Sequence, residues 1–293
     1  MNTKEILKKI RRIEISTNRL VNNIFAGEYE SVFKGRGMEF DEVREYQPGD
    51  EIRTIDWNVT ARMGQPYIKK YVEERELVMM LLVDTSGSAD FGTYQQTKAE
   101  IAAEISALLA FSAIKNSDKV GLICFTDDVE LFVPPRKGLK HVLRVVREIL
   151  YFAPQQRGTN ISAALEYVDR VIRRKSVVFL ISDFRDQGYE KRLQVTSKRH
   201  DLIAITLQDM REETLPNVGL VELEDAETGE VVVLDTRDPK ARGMYRQLNL
   251  SVVEARQKFF QSNKIDNIEI RTEESYVEPL IRFFRQRAVR ESF

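Results

Sequence analysis

Apolar positions along this chain follow two alternating periods. The strongest signal is an unbroken run from Leu77 to Val83, bounded by Glu73, Glu74, Arg75 and Glu76 on one side and by Asp84-Thr-Ser86-Gly-Ser88 on the other. A strand without polar interruptions is covered on both faces, which places it at the centre of a parallel sheet. Similar short runs recur at Lys119–Thr126, Val177–Ser182 and Leu202–Leu207. Between them lie segments with helical spacing: Thr93–Asn116 (Ile101, Ile105, Leu108, Leu109), Lys140–Phe152, Asn160–Arg174 and the charged Tyr189–Arg199. Strand and helix alternate four times or more. That order predicts an α/β fold, a doubly wound and mostly parallel sheet with right-handed crossovers.

The flanks read differently. Ile6, Ile10, Ile13, Leu20 and Ile24 predict an amphipathic helix over Thr3–Phe25, with Lys8, Lys9, Arg11 and Arg12 on its other faces. Met38, Phe40, Val43 and Tyr46 suggest an irregular strand, Pro48-Gly49-Asp50 a turn, and Tyr67–Glu74 a strand leading into the central one. Trp57 and Ile55, set among Arg44, Asp50, Arg53, Asp56 and Arg62, imply a surface folded onto the core with some ion pairs partly buried. A short strand at Val129–Val133 is expected to end at Pro134 and Pro135. Two alternating strands around Glu227-Thr-Gly-Glu230 read as a hairpin, followed by a helix over Pro239–Asn263, a strand at Ile268–Arg271 and a last helix over Tyr276–Arg290. The domain reading is an extension, 1–76, packed on a core that runs from 77 to 293.

Composition narrows the function classes. With 293 residues, 42% hydrophobic and 31% charged, and 45 basic against 46 acidic side chains, the chain is an ordinary globular one with no global pull toward nucleic acid. Its longest apolar run is far short of the roughly 20 residues of a membrane helix. The N-terminus carries charge in every turn, so no signal peptide is expected, and the single cysteine, Cys124, sits in an apolar strand as a small buried hydrophobe. Both features point to the cytoplasm. His141 and His200 lie on different segments, so histidine-based zinc or triad chemistry has poor support. Gly35-Arg36-Gly37 follows no buried strand and opens no helix, which argues against a dinucleotide loop. The arginines of the last helix (Arg282, Arg285, Arg287, Arg290) flank Leu280, Ile281, Phe283 and Phe284, as in a packed terminal helix, with an acidic partner or lipid as the other reading.

The chemistry gathers in three loops: Asp84-Thr-Ser86-Gly-Ser88, Gly158-Thr159 and Ser182-Asp183. Open α/β sheets place ligands beyond the carboxyl ends of their strands, and these loops belong at that edge. Hydroxyls and carboxylates suit a hard cation such as Mg2+ or Mn2+, which prefers octahedral oxygen coordination. Serine and threonine hydroxyls bind directly, and aspartates supply charge from behind. Neutral ligands leave the ion its Lewis acidity, and a partner's carboxylate can fill the open position. Asp127 and Asp128 read as a turn near the site.

Asp84-x-Ser86-x-Ser88, Thr159 and Asp183 match the metal-ion-dependent adhesion site of von Willebrand factor A domains, which have a Rossmann-type sheet. The match departs at Ala89, where a methionine is common. More closely, Phe40, Arg44, Tyr46-x-Pro48-Gly49-Asp50, Arg53-x-Ile55-Asp56-Trp57, Ala61-Arg62 and Glu73-Glu74-Arg75 resemble the signature of a bacterial family of unknown function, domain of unknown function 58. That family is commonly encoded beside MoxR-type AAA+ ATPases. The resemblance implies a von Willebrand factor A-like fold, a metal site made by Asp84, Ser86, Ser88, Thr159 and Asp183, and a cytosolic adaptor; that no histidine or cysteine falls in the three loops favours a non-enzymatic one. Its partners would be a MoxR-type AAA+ ATPase or a client protein offering an acidic side chain. Two other functions compete. A magnesium-dependent phosphohydrolase with Asp84 as nucleophile wants a second carboxylate where Ser86 stands and a phosphate-contacting lysine that the motif does not place. A peripheral membrane scaffold would use the first or last helix.

Overall fold

The computed structural model describes residues 38–73, 77–93 and 96–291, together with residues 11, 13, 15, 17, 20, 21, 27, 29, 32 and 33. The expectations for Ile6, Ile10 and Ile24, for Gly35-Arg36-Gly37 and for Glu74, Arg75 and Glu76 lie outside the described residues. Residues 11, 13, 15, 17 and 20 are helical, with Ile13 and Thr17 buried.

Residues 33–77 form one compact unit, and 78–293 with the described residues of 1–32 form another. In the first, β1 (Met38–Glu45) pairs antiparallel with β2 (Tyr67–Glu73), with an irregularity between Phe40 and Glu42. Between them runs α1 (Trp57–Met63), capped by the Asp56 side chain on the amides of Asn58 and Val59 and stopped by Gly64 in the left-handed region, φ +75°. Arg44 grips Asp50 through both guanidinium nitrogens, at 2.7 and 2.9 Å, which holds the Asp50 carboxyl below its ordinary range. Trp57 is 67% exposed. It sits on a seven-residue helix that buries none of its positions, so capping at both ends, not apolar packing, defines that helix.

The larger unit is built on six strands: β3 (Val78–Asp84), β4 (Lys119–Phe125), β5 (Val129–Arg136), β6 (Val177–Ser182), β7 (Asp201–Gln208) and β10 (Asp266–Arg271), in the order β10-β7-β6-β3-β4-β5. All pairings are parallel except β4 with β5. The sheet is thus the doubly wound, mostly parallel arrangement expected from sequence. Strand order reverses between β3 and β6, and ligands of such sheets sit at that switch point. The intervening helices are α2 (Lys98–Lys115), α3 (Leu139–Tyr151), α4 (Ile161–Val171) and α5 (Glu190–Arg199). A short α6 (Met210–Glu213) precedes a separate hairpin of β8 (Leu220–Glu224) and β9 (Val231–Asp235). Two more helices, α7 (Pro239–Ser262) and α8 (Val277–Glu291), flank β10.

Strand β3 is buried on both faces. Met80 and Leu82 join a cluster with Ile123, Phe125, Leu165, Val168, Leu180 and Phe260, while the alternate residues Met79, Leu81 and Val83 are equally inaccessible. Helix α2 starts at Lys98 rather than Thr93, because Thr97 and Glu100 form a reciprocal capping box. Strand β5 does not stop at Pro134 but continues through both prolines to Arg136. As the antiparallel edge strand, with a register irregularity where Val120 and Leu122 face it, it tolerates residues that lack an amide proton. The last helix is a packed one: Leu280, Phe283 and Phe284 are buried, and Arg287 and Arg290 bond Asp266, with Arg287 also on Asp201. Among the described residues no helix is long and apolar enough to cross a membrane.

One glycine tests how closely the sheet and its edge approach. A β-carbon on Gly121 would lie 2.5 Å from Met80 Sδ and 3.1 Å from the backbone nitrogen of Pro135. Gly121→Ala should therefore cost about 1–3 kcal/mol, the usual penalty for overpacking, read from urea unfolding. A neutral result would mean that Met80 swings aside without strain.

Candidate functional site

Strand β3 delivers Asp84 to the carboxyl edge, and β6 delivers Ser182 and Asp183 beside it. Ser182 Oγ donates to Asp84 Oδ2 at 2.6 Å, and the Ser86 amide donates to Asp84 Oδ1 at 3.0 Å. The chain then winds into a 3-10 turn, Gly87–Asp90, which brings the hydroxyls of Ser86 and Ser88 to 3.1 Å from each other. The Thr159 loop is tied to both neighbours. The Gly87 amide donates to Arg157 O at 2.8 Å, the Gly158 amide to Asp127 Oδ2 at 2.9 Å, and the Ile161 amide to Asp186 Oδ2 at 2.8 Å. The Asn160 side chain caps α4, accepting the Ala163 amide at 2.9 Å. Asp127 lies in the expected turn between β4 and β5 and from there braces the Thr159 loop.

The electrostatics follow from burial. Asp84 is pushed up to about 7, first by desolvation and then by the charge of Asp183, against the hydrogen bonds from Ser182 and Ser86. Burial also opposes charge on Asp183, but the ammonium of Lys98, 2.7 Å from Oδ2, outweighs it and holds Asp183 below the ordinary carboxylate range. Lys98 comes from the first turn of α2, is 1% exposed, and also reaches Glu212 Oε1 at 2.5 Å. Arg256 Nη1 donates to the backbone carbonyl of Asp183 at 3.0 Å. Of the two aspartates expected to supply charge from behind, Asp183 thus shares its charge with an ammonium.

The third loop meets a group that the sequence does not single out. Thr159 Oγ1 donates to Glu227 Oε1 at 2.7 Å. Glu227 lies in the turn of the β8–β9 hairpin, and burial raises its carboxyl, with Asp183, Asp225 and Asp186 adding to the Thr159-opposed shift. The five expected residues are thus brought to one edge: Asp84, Ser86 and Ser88 in one loop, Asp183 within electrostatic reach of Asp84, and Thr159 linked through Glu227 to the field of Asp183. Ser182, Lys98 and Glu227 complete the set.

Two observations bear on whether a cation fits. Adjacent oxygens around an octahedral ion with ligands at 2.0–2.1 Å lie about 3 Å apart, and the Ser86 and Ser88 hydroxyls are 3.1 Å apart. The buried Asp84 next to Asp183 is a concentration of negative potential that a cation would relieve. The donors are mostly hydroxyls; among the described residues no three or more His, Cys, Asp or Glu side chains are arranged to hold a metal ion. A hydroxyl-rich set suits Mg2+ rather than a soft metal.

A family model described as "Protein of unknown function DUF58" matches residues 42–254. The uncharacterized protein Rv1480 of Mycobacterium tuberculosis is 32% identical over 225 residues, 76% of this chain and 71% of that one. The uncharacterized protein YeaD of Bacillus subtilis is 29% identical over 107 residues, 36% of this chain and 25% of its own length. Among solved structures, the conserved hypothetical protein BatB from Bacteroides thetaiotaomicron shares 15% identity over 73% of this chain and 99% of its own, with a TM-score of 0.49. The SpRpn10 VWA domain shares 12% over 70% and 94%, with a TM-score of 0.39.

Proposed function

The chain belongs to the DUF58 family, and from that premise we propose that it is a metal-dependent protein-interaction adaptor that performs no chemistry of its own. Asp84, Ser86, Ser88, Thr159 and Asp183 would hold Mg2+, or Mn2+ in its place, and the ion would supply a Lewis-acidic position for a partner's carboxylate. The observation that carries this reading is the buried Asp84, raised by desolvation and by Asp183, directly behind two hydroxyls at the spacing of neighbouring ligands. Lys98 offsets the charge of Asp183, but ionising the buried Asp84 beside it stays costly without a further cation. Lys98 supports the non-enzymatic reading, because its ammonium is spent on Asp183 and Glu212 and offers no free contact to a phosphate.

The partner we propose is a MoxR-type AAA+ ATPase, or a client presented to one, in the cytoplasm, in assembly or maturation of protein complexes. The support is the Arg44, Asp50, Asp56 and Trp57 signature; in this structure Arg44 and Asp50 form a two-pronged pair and Asp56 caps α1. The test combines calorimetry and pull-down. Mg2+ should bind the wild type, with Ser86→Ala losing about 10- to 100-fold in affinity, and capture of the purified ATPase should fail with chelator. Binding that ignores both chelator and Ser86→Ala would remove the metal from the account.

A further inference from the structure

The β8–β9 hairpin reaches back over the carboxyl edge of the sheet and places its turn against two of the three site loops. At the first, a β-carbon on Gly87 would lie 2.2 Å from the Ala226 carbonyl oxygen and 3.5 Å from that of Arg157, so only glycine lets the turn approach this closely. At the second, the carboxylate of the next residue, Glu227, accepts the Thr159 hydroxyl at 2.7 Å. We propose that Glu227 is the site's own acid group: the hairpin turn stands where a partner's carboxylate would dock and closes the site until it is displaced. This rests on the metal-site reading above and names how that site is regulated.

Three further observations favour a strap over a fixed part of the core. The hairpin is anchored at its base. Thr236 is fully buried, its hydroxyl donates to Gly219 O at 2.6 Å and accepts the Val218 amide at 3.0 Å, and Arg242 donates to its carbonyl. Beyond the base, β8 and β9 pair only with each other among the described residues, and Leu220, Val231, Val232 and Val233 are exposed on both faces. An isolated two-stranded hairpin has little stability of its own, so its turn can lift while its base holds. Finally, Glu227 is half buried amid the like charges of Asp183, Asp186 and Asp225. A carboxylate drawn into such a field gains from the Thr159 hydrogen bond, and gains far more once a divalent ion sits among the same oxygens. The turn itself is pre-formed, with Asp225 Oδ1 accepting the amides of Glu227 and Thr228 at 2.9 Å and Gly229 in the left-handed region, φ +74°. The acid group is therefore presented on a shaped loop rather than a floppy one.

The test follows two readouts on the whole chain, with Mg2+ alone as the probe. Calorimetry should give tight binding for wild type, about 10-fold weaker binding for Glu227→Gln, the low end of the range for such a change, and a larger loss for Ser86→Ala. Amide hydrogen exchange across residues 225–230 should slow on adding Mg2+ in wild type and stay unchanged in Glu227→Gln, which keeps an acceptor for Thr159 but not the charge. Equal Mg2+ affinity in wild type and Glu227→Gln, with Ser86→Ala still impaired, would overturn the strap and leave the metal site standing. Exchange in the turn that ignores Mg2+ while the metal binds would also overturn it. No heat of binding in any of the three proteins would overturn both.

Discussion

Lys98→Met is expected to destabilise the larger unit by about 3–5 kcal/mol, the usual loss when one member of a buried ion pair is removed. The ammonium lies 2.7 Å from Asp183 and 2.5 Å from Glu212 and is almost wholly shielded from water. Methionine fills the same channel, so the loss is electrostatic rather than a cavity. What remains is Asp183, still buried and facing Asp84, with only the more distant charge of Arg185 to offset it. The pH dependence has a definite sign. In wild type, Lys98 overcomes the burial of Asp183 and keeps its carboxyl below the ordinary range. That stabilisation is present above the unfolded-state value near 4 and fades as pH falls through the folded one. The gap between wild type and Lys98→Met should therefore be widest near neutral pH and shrink in acid. Adding Asp183→Asn to Lys98→Met should recover much of the stability. Urea midpoints at pH 7 and at a pH well below 4, in the window where the folded-state Asp183 takes up its proton, decide it. A single mutant within about 1 kcal/mol of wild type at pH 7, the scale of an exposed pair, would mean that the channel admits water.

Much of this site is local in sequence, and that part is readable without coordinates. Asp84, Ser86 and Ser88 follow the longest apolar run of the chain, so strand burial and loop chemistry announce each other. Thr159 and Asp183 follow from loop position together with the resemblance to metal-ion-dependent adhesion sites, and hydrogen bonds tie their loops to that of Asp84. Lys98 carries a signal in the sequence: it stands three residues before Ile101 and seven before Ile105, on the buried stripe of α2, where a charged residue needs a partner. Glu227 had none. A glutamate beside Thr-Gly in a hairpin turn is ordinarily solvated, and only the close approach at Gly87 shows where the turn goes. The same limit applies to the fold. Four parallel strands were legible from apolar runs. The place of β10 beside β7, however, is a pairing across about 60 residues of chain, and nothing in Asp266–Arg271 states its neighbour. The Pro134-Pro135 stop also misled, because an edge strand does not need every amide proton.

Asp84→Asn should raise the stability of the metal-free protein, a sign opposite to that of most core substitutions. Desolvation, reinforced by Asp183, lifts the Asp84 carboxyl from 3.8 to about 7 in the folded chain. Below the unfolded value the group is protonated in both states and costs nothing. Between the two values only the unfolded chain releases the proton, so folding stability declines as pH rises, and above about 7 the penalty levels off. With 1.36 kcal/mol for each unit of displacement, the plateau is about 4 kcal/mol. Asparagine removes that penalty, keeps an acceptor for the Ser86 amide, and gives back about 1 kcal/mol through the weaker bond to Ser182. The variant should thus match wild type near pH 4 and exceed it by a few kcal/mol at pH 8 in chelator. Mg2+ should then reverse the ranking, since a ligand bound only by the folded state adds stability with its concentration, and wild type alone retains the charge that holds it. Thermal unfolding at pH 4 and 8, with chelator and with Mg2+, separates the outcomes. An Asn variant less stable than wild type in chelator at pH 8 would show that Asp84 is solvated or already compensated within the chain. The case for a cation at the switch point of this sheet would then lose its main support.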